Sequence, residues 1–332
     1  MEPMLSIEQL TVTFYTPKGK VKAVDGASLT LHKGQIIGLI GETGSGKSVL
    51  GLSIPGLLPG TAEVSGTIRF KGQELLTLKK DSLRKLRGTE IAFVPQNPAT
   101  SLNPVMRIGL QITEAIKAPF SRKQKREHAA RLLEELNMPK PWDTLRQYPF
   151  QLSGGMKQRV LAAIGVAGQP SLLIADEPTK GLDALVRDQV VGLIRRVATH
   201  TGAAILVITH DLYVARSLCD AIGVMYAGEI VESGPTEQLF TQPKHPYTSG
   251  LIRSMPGKGM IPIPGVSHSL MEEHRGCKFL LRCSQRLGEC EWNPPELYAL
   301  QDQDRKVRCF LHDSSRGREQ GVPERLVATA DA

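Results

Sequence analysis

The sequence predicts an α/β fold in which a glycine-rich loop joins a buried strand to a helix. Three observations support this prediction. The apolar run IIGLI leads directly into GETGSGKS, a second apolar run, LLIA, ends in an acidic pair, and four of the five cysteines lie in the last fifth of the chain. Continuous apolar runs of this length are typical of parallel strands that are buried on both faces. We therefore expect a parallel sheet with a ligand site at one edge, followed by a small cysteine-containing lobe.

The composition is that of a globular protein. The 332 residues are 41% hydrophobic and 22% charged, with a net charge of +8, which suits a solvated surface, an anionic ligand or an anionic membrane surface. No nucleic-acid recognition motif accompanies this charge, and we expect no nucleic acid partner. The N-terminal segment lacks the pattern of a signal peptide, and no run of about 18 apolar residues predicts a membrane span. We expect a cytosolic protein with reduced thiols.

Hydrophobic periodicity predicts the other elements. Residues 1–35 contain two alternating segments, LSIEQLTVTF and VKAVDGASLTL, which predict antiparallel strands. Residues 36–95 hold the glycine-rich loop, its helix and further strands. Residues 97–165 predict helices, among them the segment SRKQKREHAARLLEEL, whose charges suit a solvated helix face. From residue 166 to residue 235, strands and helices alternate as in a parallel sheet.

The segment GETGSGKS matches the phosphate-binding pattern G-x-x-x-x-G-K-[S/T] in full. Glycines let the backbone aim its N–H groups at phosphate oxygens, and the N-terminal end of the next helix favours the same anion. Lys47 is predicted to reach the β- and γ-phosphates, and Ser48 to bind Mg²⁺. The strand and the helix on either side disfavour a mere glycine-rich turn. The loop residues predicted to bind ATP and Mg²⁺ are Gly41, Glu42, Thr43, Gly44, Ser45, Gly46, Lys47 and Ser48.

Asp176 and Glu177 end the second apolar run. Asp176 is predicted to hold Mg²⁺ through water, and Glu177 to polarise a water molecule that is aligned with the γ-phosphate. Two acidic residues alone could be a simple strand-to-loop cap. Together with the phosphate loop they predict a site of phosphoryl transfer.

Three further motifs occur in a fixed order with these two. They are VPQNP, which contains Gln96, LSGGMKQR from Leu152 to Arg159, and VITHD, which contains His210. The five motifs resemble the phosphate loop, glutamine loop, signature, acidic strand and switch histidine of ABC-type ATPases, over residues from about 5 to 245. The resemblance implies a P-loop NTPase fold with an antiparallel β subdomain and a helical subdomain that meets a membrane partner.

The resemblance assigns roles to individual residues. It implies that Glu177 is the general base, that His210 contacts the γ-phosphate, and that Gln96 contacts Mg²⁺ and water. Phe14 is expected to stack on adenine, with Tyr15 as the next candidate. The alternative for Phe14 is an aromatic residue of the core or of an edge strand.

The resemblance also implies that ATP is sandwiched between two ATPase subunits, so that signature residues contact the ATP of a partner subunit. Asp183 belongs to the loop at this seam. The loop departs from the family pattern, because Lys180 stands where a small hydroxyl residue is common. This departure concerns communication between the two sites, not ATP binding. The signature residues predicted to contact the partner's ATP are Ser153, Gly154, Gly155 and Gln158.

The segment PKHPYTSGLIRSMP, from Pro243 to Pro256, resembles the region after the cassette in importers of oligopeptides, dipeptides and nickel. This implies a peripheral ATPase at the cytoplasmic face of the membrane, with two transmembrane permease subunits, a second and paralogous ATPase subunit, and an extracytoplasmic solute-binding protein. Peptides are the expected solute; nickel, metal–chelator complexes and other small solutes are alternatives. A soluble ABC ATPase that acts on nucleic acid or ribosomes, and a redox- or iron-responsive regulator, also stay open.

The cysteines near the C-terminus are Cys277, Cys283, Cys290 and Cys309. No C-x₂-C pair is present, so the residues alone leave reduced thiols, zinc and an iron–sulfur cluster open. The Gly-Cys and Arg-Cys pattern resembles the [4Fe–4S] module of the importer subfamily, although Arg275 stands where proline is common. It implies a [4Fe–4S] cluster with a structural role, with Zn²⁺ as the alternative. Cys219, in an apolar setting, is expected to be a small buried residue.

These observations divide the chain into three parts. Residues 1–245 are predicted to form the nucleotide-binding domain, with the helical subdomain over about 97–165. Residues 246–313 are predicted to form the importer-type C-terminal region with its four-cysteine metal module. Residues 314–332 are predicted to form a polar, mobile tail.

Overall fold

The computed structural model describes residues 2–271, 274–300 and 304–313. The predicted tail over residues 314–332 lies outside these ranges. Within them, no helix is long and apolar enough to cross a bilayer.

The strands are β1 (Leu5–Thr16), β2 (Gly19–Leu31), β3 (Ile36–Ile40), β4 (Ala62–Phe70), β5 (Gln73–Glu74), β6 (Ile91–Val94), β7 (Leu172–Asp176), β8 (Ala204–Thr209), β9 (Ala221–Tyr226), β10 (Glu229–Pro235), β11 (Tyr298–Ala299) and β12 (Lys306–Val307). The α-helices are α1 (Lys47–Ser53), α2 (Lys80–Leu86), α3 (Pro98–Ser101), α4 (Ile108–Ala115), α5 (Arg122–Glu135), α6 (Pro141–Thr144), α7 (Gly154–Ala167), α8 (Ala184–Thr201), α9 (Leu212–Leu218), α10 (Thr236–Thr241) and α11 (Pro246–Arg253). Short 3₁₀ helices span Pro149–Gln151, Leu280–Arg282, Gly288–Glu291 and Phe310–His312.

The larger sheet has the strand order β11-β12-β10-β9-β3-β8-β7-β6. From β9 to β6 the neighbouring strands are parallel. Every residue of β3, β7 and β8 is buried, because helices or the second sheet cover both faces of this sheet. This burial confirms the predicted strands and explains why their sequences are apolar without alternation.

The smaller sheet is antiparallel and has the order β2-β1-β4-β5. Its first two strands confirm the prediction for residues 1–35. Apolar side chains of β1 and β2 share one hydrophobic cluster with Leu39 of β3, Ile174 of β7 and Leu206 of β8. This packing fixes the antiparallel sheet against the strands that carry the phosphate loop.

The helical subdomain begins after β6, as predicted. Helix α5 opens with a capping box, in which Ser121 accepts a hydrogen bond from the Gln124 backbone and the Gln124 side chain accepts one from Ser121 N–H. Ile112 of α4, Leu133 of α5 and Val160 of α7 lie in one buried cluster. Because α7 also starts with the signature motif, this packing sets the position of that motif.

The end of the described chain adds to the larger sheet instead of standing apart from it. Strand β12 pairs antiparallel with β10, with Val307 opposite Glu232, and β11 pairs with β12. We call residues 274–300 and 304–313 the C-terminal lobe. Its strands have only two residues each, so the sequence carried no alternation by which to predict them.

Candidate nucleotide-binding site and cysteine cavity

Four of the residues predicted to act on ATP follow neighbouring strands at one edge of the larger sheet. Strands β3, β8, β7 and β6 are adjacent in that order. Gly41, His210 and Glu177 directly follow the carboxyl ends of β3, β8 and β7, and Gln96 lies two residues beyond β6. The carboxyl ends of parallel strands are where α/β folds bind ligands. We call this region the nucleotide edge.

Three glycines shape the phosphate loop. Gly41, Gly44 and Gly46 have φ angles of 150°, 82° and 102°, a region that other residues rarely adopt. A methyl group on Gly41 would lie 2.1 Å from the Met225 carbonyl oxygen, and one on Gly46 would lie 2.1 Å from the Ala23 carbonyl oxygen. The loop therefore needs glycine at Gly41 and Gly46 both for conformation and for space, and at Gly44 for conformation alone.

Lys47 is buried within the loop that it follows. Its ammonium group donates to the carbonyl oxygens of Gly41 (2.8 Å) and Glu42 (2.7 Å) and to the Ser45 hydroxyl (3.3 Å). Burial lowers the pKa of Lys47, although the carboxylates of Glu177 and Asp176 favour its charged form. The ammonium group of Lys47 is therefore surrounded by loop oxygens and acted on by two carboxylates. In this position it can donate its hydrogen bonds to phosphate oxygens instead.

Asp176 offers an oxygen that fits a hydrated cation. Burial raises the pKa of Asp176, although a hydrogen bond with Ser48 opposes that shift. The Asp176 Oδ1 atom is buried and, among the described residues, has no hydrogen-bond partner. A carboxylate with an unpartnered oxygen beside a hydroxyl is the donor set that Mg²⁺ prefers.

Glu177 is buried and oriented by β8. Its Oε2 accepts from the Thr209 hydroxyl at 3.2 Å, and its Oε1 lies 2.6 Å from His210 Nδ1 and accepts from His210 N–H at 3.0 Å. The backbone of Glu177 has a φ of 49°, which is uncommon outside glycine and recurs at functional sites. The structure thus brings the predicted base and the predicted switch histidine into direct contact.

The contacts predicted for Phe14, Tyr15 and Gln96 are not seen in the structure. Phe14 is half-buried and packs against the hydrophobic cluster that includes the smaller sheet. It therefore contributes to the core, and its stacking on adenine stays a prediction. Tyr15 is 58% exposed and donates its hydroxyl proton to Glu63 at 2.6 Å. Gln96 is exposed at the nucleotide edge, and its contact with Mg²⁺ stays a prediction.

The signature motif starts helix α7. Ser153 caps this helix by accepting from Met156 N–H at 3.3 Å, and Gly154 has no non-neighbouring atom within 4 Å of where a methyl group would stand. Gln158 is buried and donates to the Pro178 carbonyl at 3.1 Å, so within this chain it braces the loop after Glu177. The contacts of the signature residues with a partner's ATP stay a prediction.

The loop from Thr179 to Asp183, which the resemblance assigns to the seam between two ATPase subunits, leads into helix α8. Asp183 caps α8 by accepting from Val186 N–H at 3.0 Å. Lys180 is exposed and Gly181 has a φ of 73°. The substituted lysine therefore occupies a surface turn. Its N–H donates to the Glu177 carbonyl at 3.1 Å, and its positive charge opposes the rise in the pKa of Asp176 that burial causes.

The four C-terminal cysteines converge on one small cavity, which also borders His245 and Phe279. We call it the cysteine cavity; its volume is about 10 Å³. Burial raises the pKa of Cys277 to about 12 and that of Cys309 to about 11. Over the described ranges, no group of three or more His, Cys, Asp or Glu side chains is arranged to hold a metal ion. The thiols therefore lie near one another without forming a ready ligand set. Cys219 is buried elsewhere, as predicted.

The structure also shows contacts that sequence reasoning missed. The Tyr247 hydroxyl, in the HPYT segment, accepts from Glu42 N–H of the phosphate loop at 2.9 Å. Arg282 forms two hydrogen bonds with the Glu42 carboxylate, at 2.8 Å and 2.9 Å. Arg305 pairs with the buried Glu232 at 2.9 Å. The family-marker segment HPYT and the arginine before Cys283 were visible in the sequence, but nothing in their spacing indicated the phosphate loop as their partner.

Comparisons with known proteins show the family to which the chain belongs. The chain matches the ABC transporter family over residues 24–180 and the oligopeptide/dipeptide transporter C-terminal region over residues 231–290. It is 42% identical to the probable D,D-dipeptide transport ATP-binding protein DdpD of Escherichia coli, over 93% of this chain and 97% of that protein. It is 39% identical to the dipeptide transport ATP-binding protein DppD of Bacillus subtilis, over 94% of this chain and 96% of that protein.

Solved structures show the same fold. The ATP-binding cassette MJ0796, in a dimeric post-hydrolysis state bound to ADP and Pi, has a TM-score of 0.64 and 26% identity, and the match covers 70% of this chain and 99% of that one. CbiO1 of Clostridium perfringens, part of the ABC transporter complex CbiONQ, has a TM-score of 0.59 and covers 73% of this chain and 92% of its own. The predicted P-loop NTPase fold of the ABC type is confirmed. The chain belongs to the ABC transporter family, as an ATP-binding subunit of the branch that carries the oligopeptide/dipeptide transporter C-terminal region.

Proposed function

We propose that this chain hydrolyses ATP to power the import of di- or oligopeptides through separate permease subunits. One observation carries the proposal: the side chains predicted to hydrolyse ATP and the C-terminal region of oligopeptide/dipeptide transporters are parts of one structure, with Glu42 in contact with both. The names of the relatives DdpD and DppD, dipeptide transport ATP-binding proteins, support peptides as the solute. Import of nickel, metal–chelator complexes or other small solutes is the alternative outcome of the test below.

In this proposal Lys47 and the backbone N–H groups of the loop bind and orient the phosphates. Ser48 and Asp176 would hold Mg²⁺, which supplies charge neutralisation to the phosphates when it is bound. Their oxygens fit that role, because Asp176 Oδ1 is buried without a hydrogen-bond partner among the described residues. Gln96 and Phe14 are the proposed water and adenine contacts.

Glu177 is the proposed general base. Thr209 and His210 hold its two oxygens, so its carboxylate is fixed before it takes a proton from the attacking water. The His210 side chain is 54% exposed, as contact between its other ring nitrogen and the γ-phosphate would require. Positioning and charge, more than covalent chemistry, account for catalysis of phosphoryl transfer.

The active unit in this proposal is a pair of ATPase subunits at the cytoplasmic face of the membrane, with two permease subunits and an extracytoplasmic solute-binding protein. Ser153, Gly154 and Gly155 would each face the ATP of the opposite ATPase subunit, and Asp183 would lie at the seam. Ser153 and Gly154 are exposed at the start of α7, as contact with the ATP of another subunit requires. ATP then favours the closed pair, and its hydrolysis removes that preference.

The experiment is to tag the full chain in its native cell, solubilise the membranes and identify the co-purifying proteins. The complex is then reconstituted, and ATP turnover is measured with peptides, with Ni²⁺ and with no solute. We expect permeases, a second ATPase subunit and stimulation of turnover by peptides that depends on the solute-binding protein. Stimulation by Ni²⁺ alone would replace peptide with metal as the solute. Recovery with RNA or ribosomes and never with membrane proteins would contradict the importer proposal.

For the cysteine cavity we propose a structural metal centre held by Cys277, Cys283, Cys290 and Cys309, with a [4Fe–4S] cluster favoured over Zn²⁺. The convergence of all four thiols on one cavity supports it. The cavity must widen to admit a metal, because a volume of about 10 Å³ barely holds one water molecule. Metal binding would also have to displace protons from buried thiols.

The metal proposal is tested by purifying the full chain without oxygen and counting bound iron and zinc. We expect about four irons per chain, as a [4Fe–4S] cluster requires, and loss of the metal in Cys290→Ser. Cys219→Ser is the matched control, since Cys219 is a buried cysteine outside the cavity. A folded chain that contains neither iron nor zinc would refute the proposal.

A further inference from the structure

We propose that Arg282 is a positioning residue for ATP binding: from the C-terminal lobe, it fixes and neutralises the carboxylate of Glu42 in the phosphate loop. This inference rests on the proposed ATP-binding role of that loop. It gives the C-terminal lobe a part in ATP binding at the nucleotide edge, although Arg282 and Glu42 lie 240 residues apart in the chain.

The first support is the geometry of the contact. Arg282 Nη1 donates to Glu42 Oε2 at 2.8 Å, and Nη2 donates to Oε1 at 2.9 Å. This is the bidentate pairing of a guanidinium with a carboxylate, which restrains direction as well as distance. The Ser267 hydroxyl donates a further hydrogen bond to Glu42 Oε2.

The second support is that Arg282 is itself held firmly. Its side chain is only 5% exposed. Its Nε donates to the Pro264 carbonyl at 3.0 Å, and its guanidinium lies over the rings of Tyr226 and Phe279, at 5.7 Å and 5.9 Å. A surface ion pair contributes little because its side chains are mobile, whereas this arginine is preorganised to direct the carboxylate that it binds.

The third support is that Glu42 is restrained at each of its functional groups. Its N–H donates to Tyr247, its carbonyl accepts from Lys47, and its carboxylate receives Arg282. Tyr247 and Arg282 lie outside the ATPase cassette proper, so the second residue of the phosphate loop is positioned largely by the C-terminal part of the chain.

The fourth support is charge. Glu42 carries a negative charge in a loop predicted to receive a triphosphate. Burial raises the pKa of Glu42, but the hydrogen bonds from Arg282 and Ser267 more than offset this and keep it below its usual value. The carboxylate therefore stays ionised. Without Arg282 the Glu42 carboxylate would lose its bidentate cation and keep only the weaker charge interaction with Lys47, so it would repel the phosphates more strongly.

These observations predict a particular pattern in a double-mutant cycle. Arg282→Gln leaves the Glu42 charge without its partner, and we expect ATP to bind about tenfold more weakly, in keeping with loss of a charged hydrogen bond. Glu42→Gln removes the charge and keeps an oxygen acceptor, so we expect a change of less than about threefold. In the double variant, Glu42→Gln should restore most of the affinity that Arg282→Gln loses.

The measurement is calorimetric titration of ATP into the purified full chain, with the thermal unfolding midpoint of each free protein as a check on folding. Lys278→Ala is the matched control. Lys278 anchors the same lobe to Asp25 at 2.7 Å and does not touch Glu42, so we expect it to leave ATP affinity unchanged even where it lowers the unfolding midpoint.

The outcomes are distinct. Unchanged affinity in Arg282→Gln, or a loss that Glu42→Gln does not restore, would overturn the inference. If Arg282→Gln does not fold, the cycle is run with Arg282→Lys, which keeps the charge but not the bidentate geometry. A loss of ATP affinity of about threefold in Arg282→Lys that Glu42→Gln reverses would then support the inference. Wild-type affinity in Arg282→Lys would overturn it. If the wild-type chain itself bound no ATP, the proposed function would fail instead.

Discussion

The nucleotide edge and the C-terminal lobe are held together in different ways. At the nucleotide edge, regular parallel strands bring Gly41, Glu177 and His210 together. The lobe has two short strands and three 3₁₀ turns within its described residues, and polar anchors, with Arg282, Lys278 and Arg305 prominent among them, join it to the rest of the chain. The reacting groups are therefore positioned by a rigid sheet, whereas ion pairs attach the lobe, and one of these pairs, from Arg282, reaches the phosphate loop.

The largest expected effect lies at the nucleotide edge. Lys47→Ala should weaken ATP binding at least about 100-fold, because it removes a buried cation with charge-assisted hydrogen bonds. Calorimetric titration of ATP measures it. Lys123→Ala, which removes an exposed lysine of α5 in the helical subdomain, is the control and should bind ATP as the wild type does. Near-normal binding by Lys47→Ala would mean that the phosphate loop has been wrongly assigned.

Glu177→Gln should lower the rate of ATP hydrolysis by roughly 100-fold to 10,000-fold, the usual contribution of a general base, while ATP stays bound. An amide accepts hydrogen bonds as a carboxylate does but cannot take the proton of the attacking water. Phosphate release by the reconstituted complex and ATP affinity are measured together. Asp188→Asn, an exposed carboxylate on α8, should hydrolyse ATP normally. Turnover by Glu177→Gln at the wild-type rate would assign the base elsewhere.

The nucleotide edge could be predicted from sequence because its information is local. IIGLI is apolar throughout because β3 is buried on both faces, and GETGSGKS carries glycines at the positions where backbone oxygens come close. The signature and switch motifs follow in a known order. Each motif is a short run of adjacent residues that itself contains the side chain it predicts.

The anchors of the C-terminal lobe could not be predicted in this way. Nothing in the letters around Arg282 indicates that its partner is Glu42, since an ion pair between distant residues depends on the fold as a whole. The positive φ of Glu177 and the inward turn of Gln158 toward Pro178 are equally tertiary. The four cysteines were recognised by type and number, but spacing alone did not give the size of the cavity that they line.

A buried ion pair between Arg305 and Glu232 also anchors the lobe, to strand β10. Arg305 and Glu232 are 3% and 0% exposed on their side chains, and Glu232 also accepts from the N–H groups of Lys244 and His245. Arg305→Ala leaves the buried Glu232 carboxylate without its cation. We expect this to lower the free energy of unfolding by about 3–5 kcal/mol. We expect faster hydrogen exchange in β10 and β12, with ATP affinity less affected than in Arg282→Gln.

The control for that experiment is Lys306→Ala, since Lys306 is the exposed neighbour of Arg305 on β12. Its exchange should match that of the wild type. If Arg305→Ala exchanged no faster than this control, the lobe would be held by its apolar contacts, and the contrast with the nucleotide edge would weaken.

The smallest expected effect lies at Tyr247 of α11, which contacts both Glu42 of the phosphate loop and Phe279 of the C-terminal lobe. Tyr247 is fully buried, and burial raises its pKa well above the ordinary value for tyrosine, so its hydroxyl stays protonated and accepts from Glu42 N–H. Tyr247→Phe keeps the ring and its packing against Tyr226 and Phe279 but leaves that N–H without its acceptor. We expect ATP affinity to fall by about twofold to tenfold, which corresponds to the loss of one neutral hydrogen bond.

The matched control is Tyr298→Phe, which removes a lobe hydroxyl that contacts Asp313 at 3.5 Å, away from the phosphate loop. Both variants are titrated with ATP and unfolded by heat. A loss of affinity in Tyr247→Phe alone, at an unfolding midpoint close to that of Tyr298→Phe, would place its effect on the loop and not on the stability of the lobe. Equal affinities in the two variants would mean that Arg282 alone carries the link between the lobe and ATP.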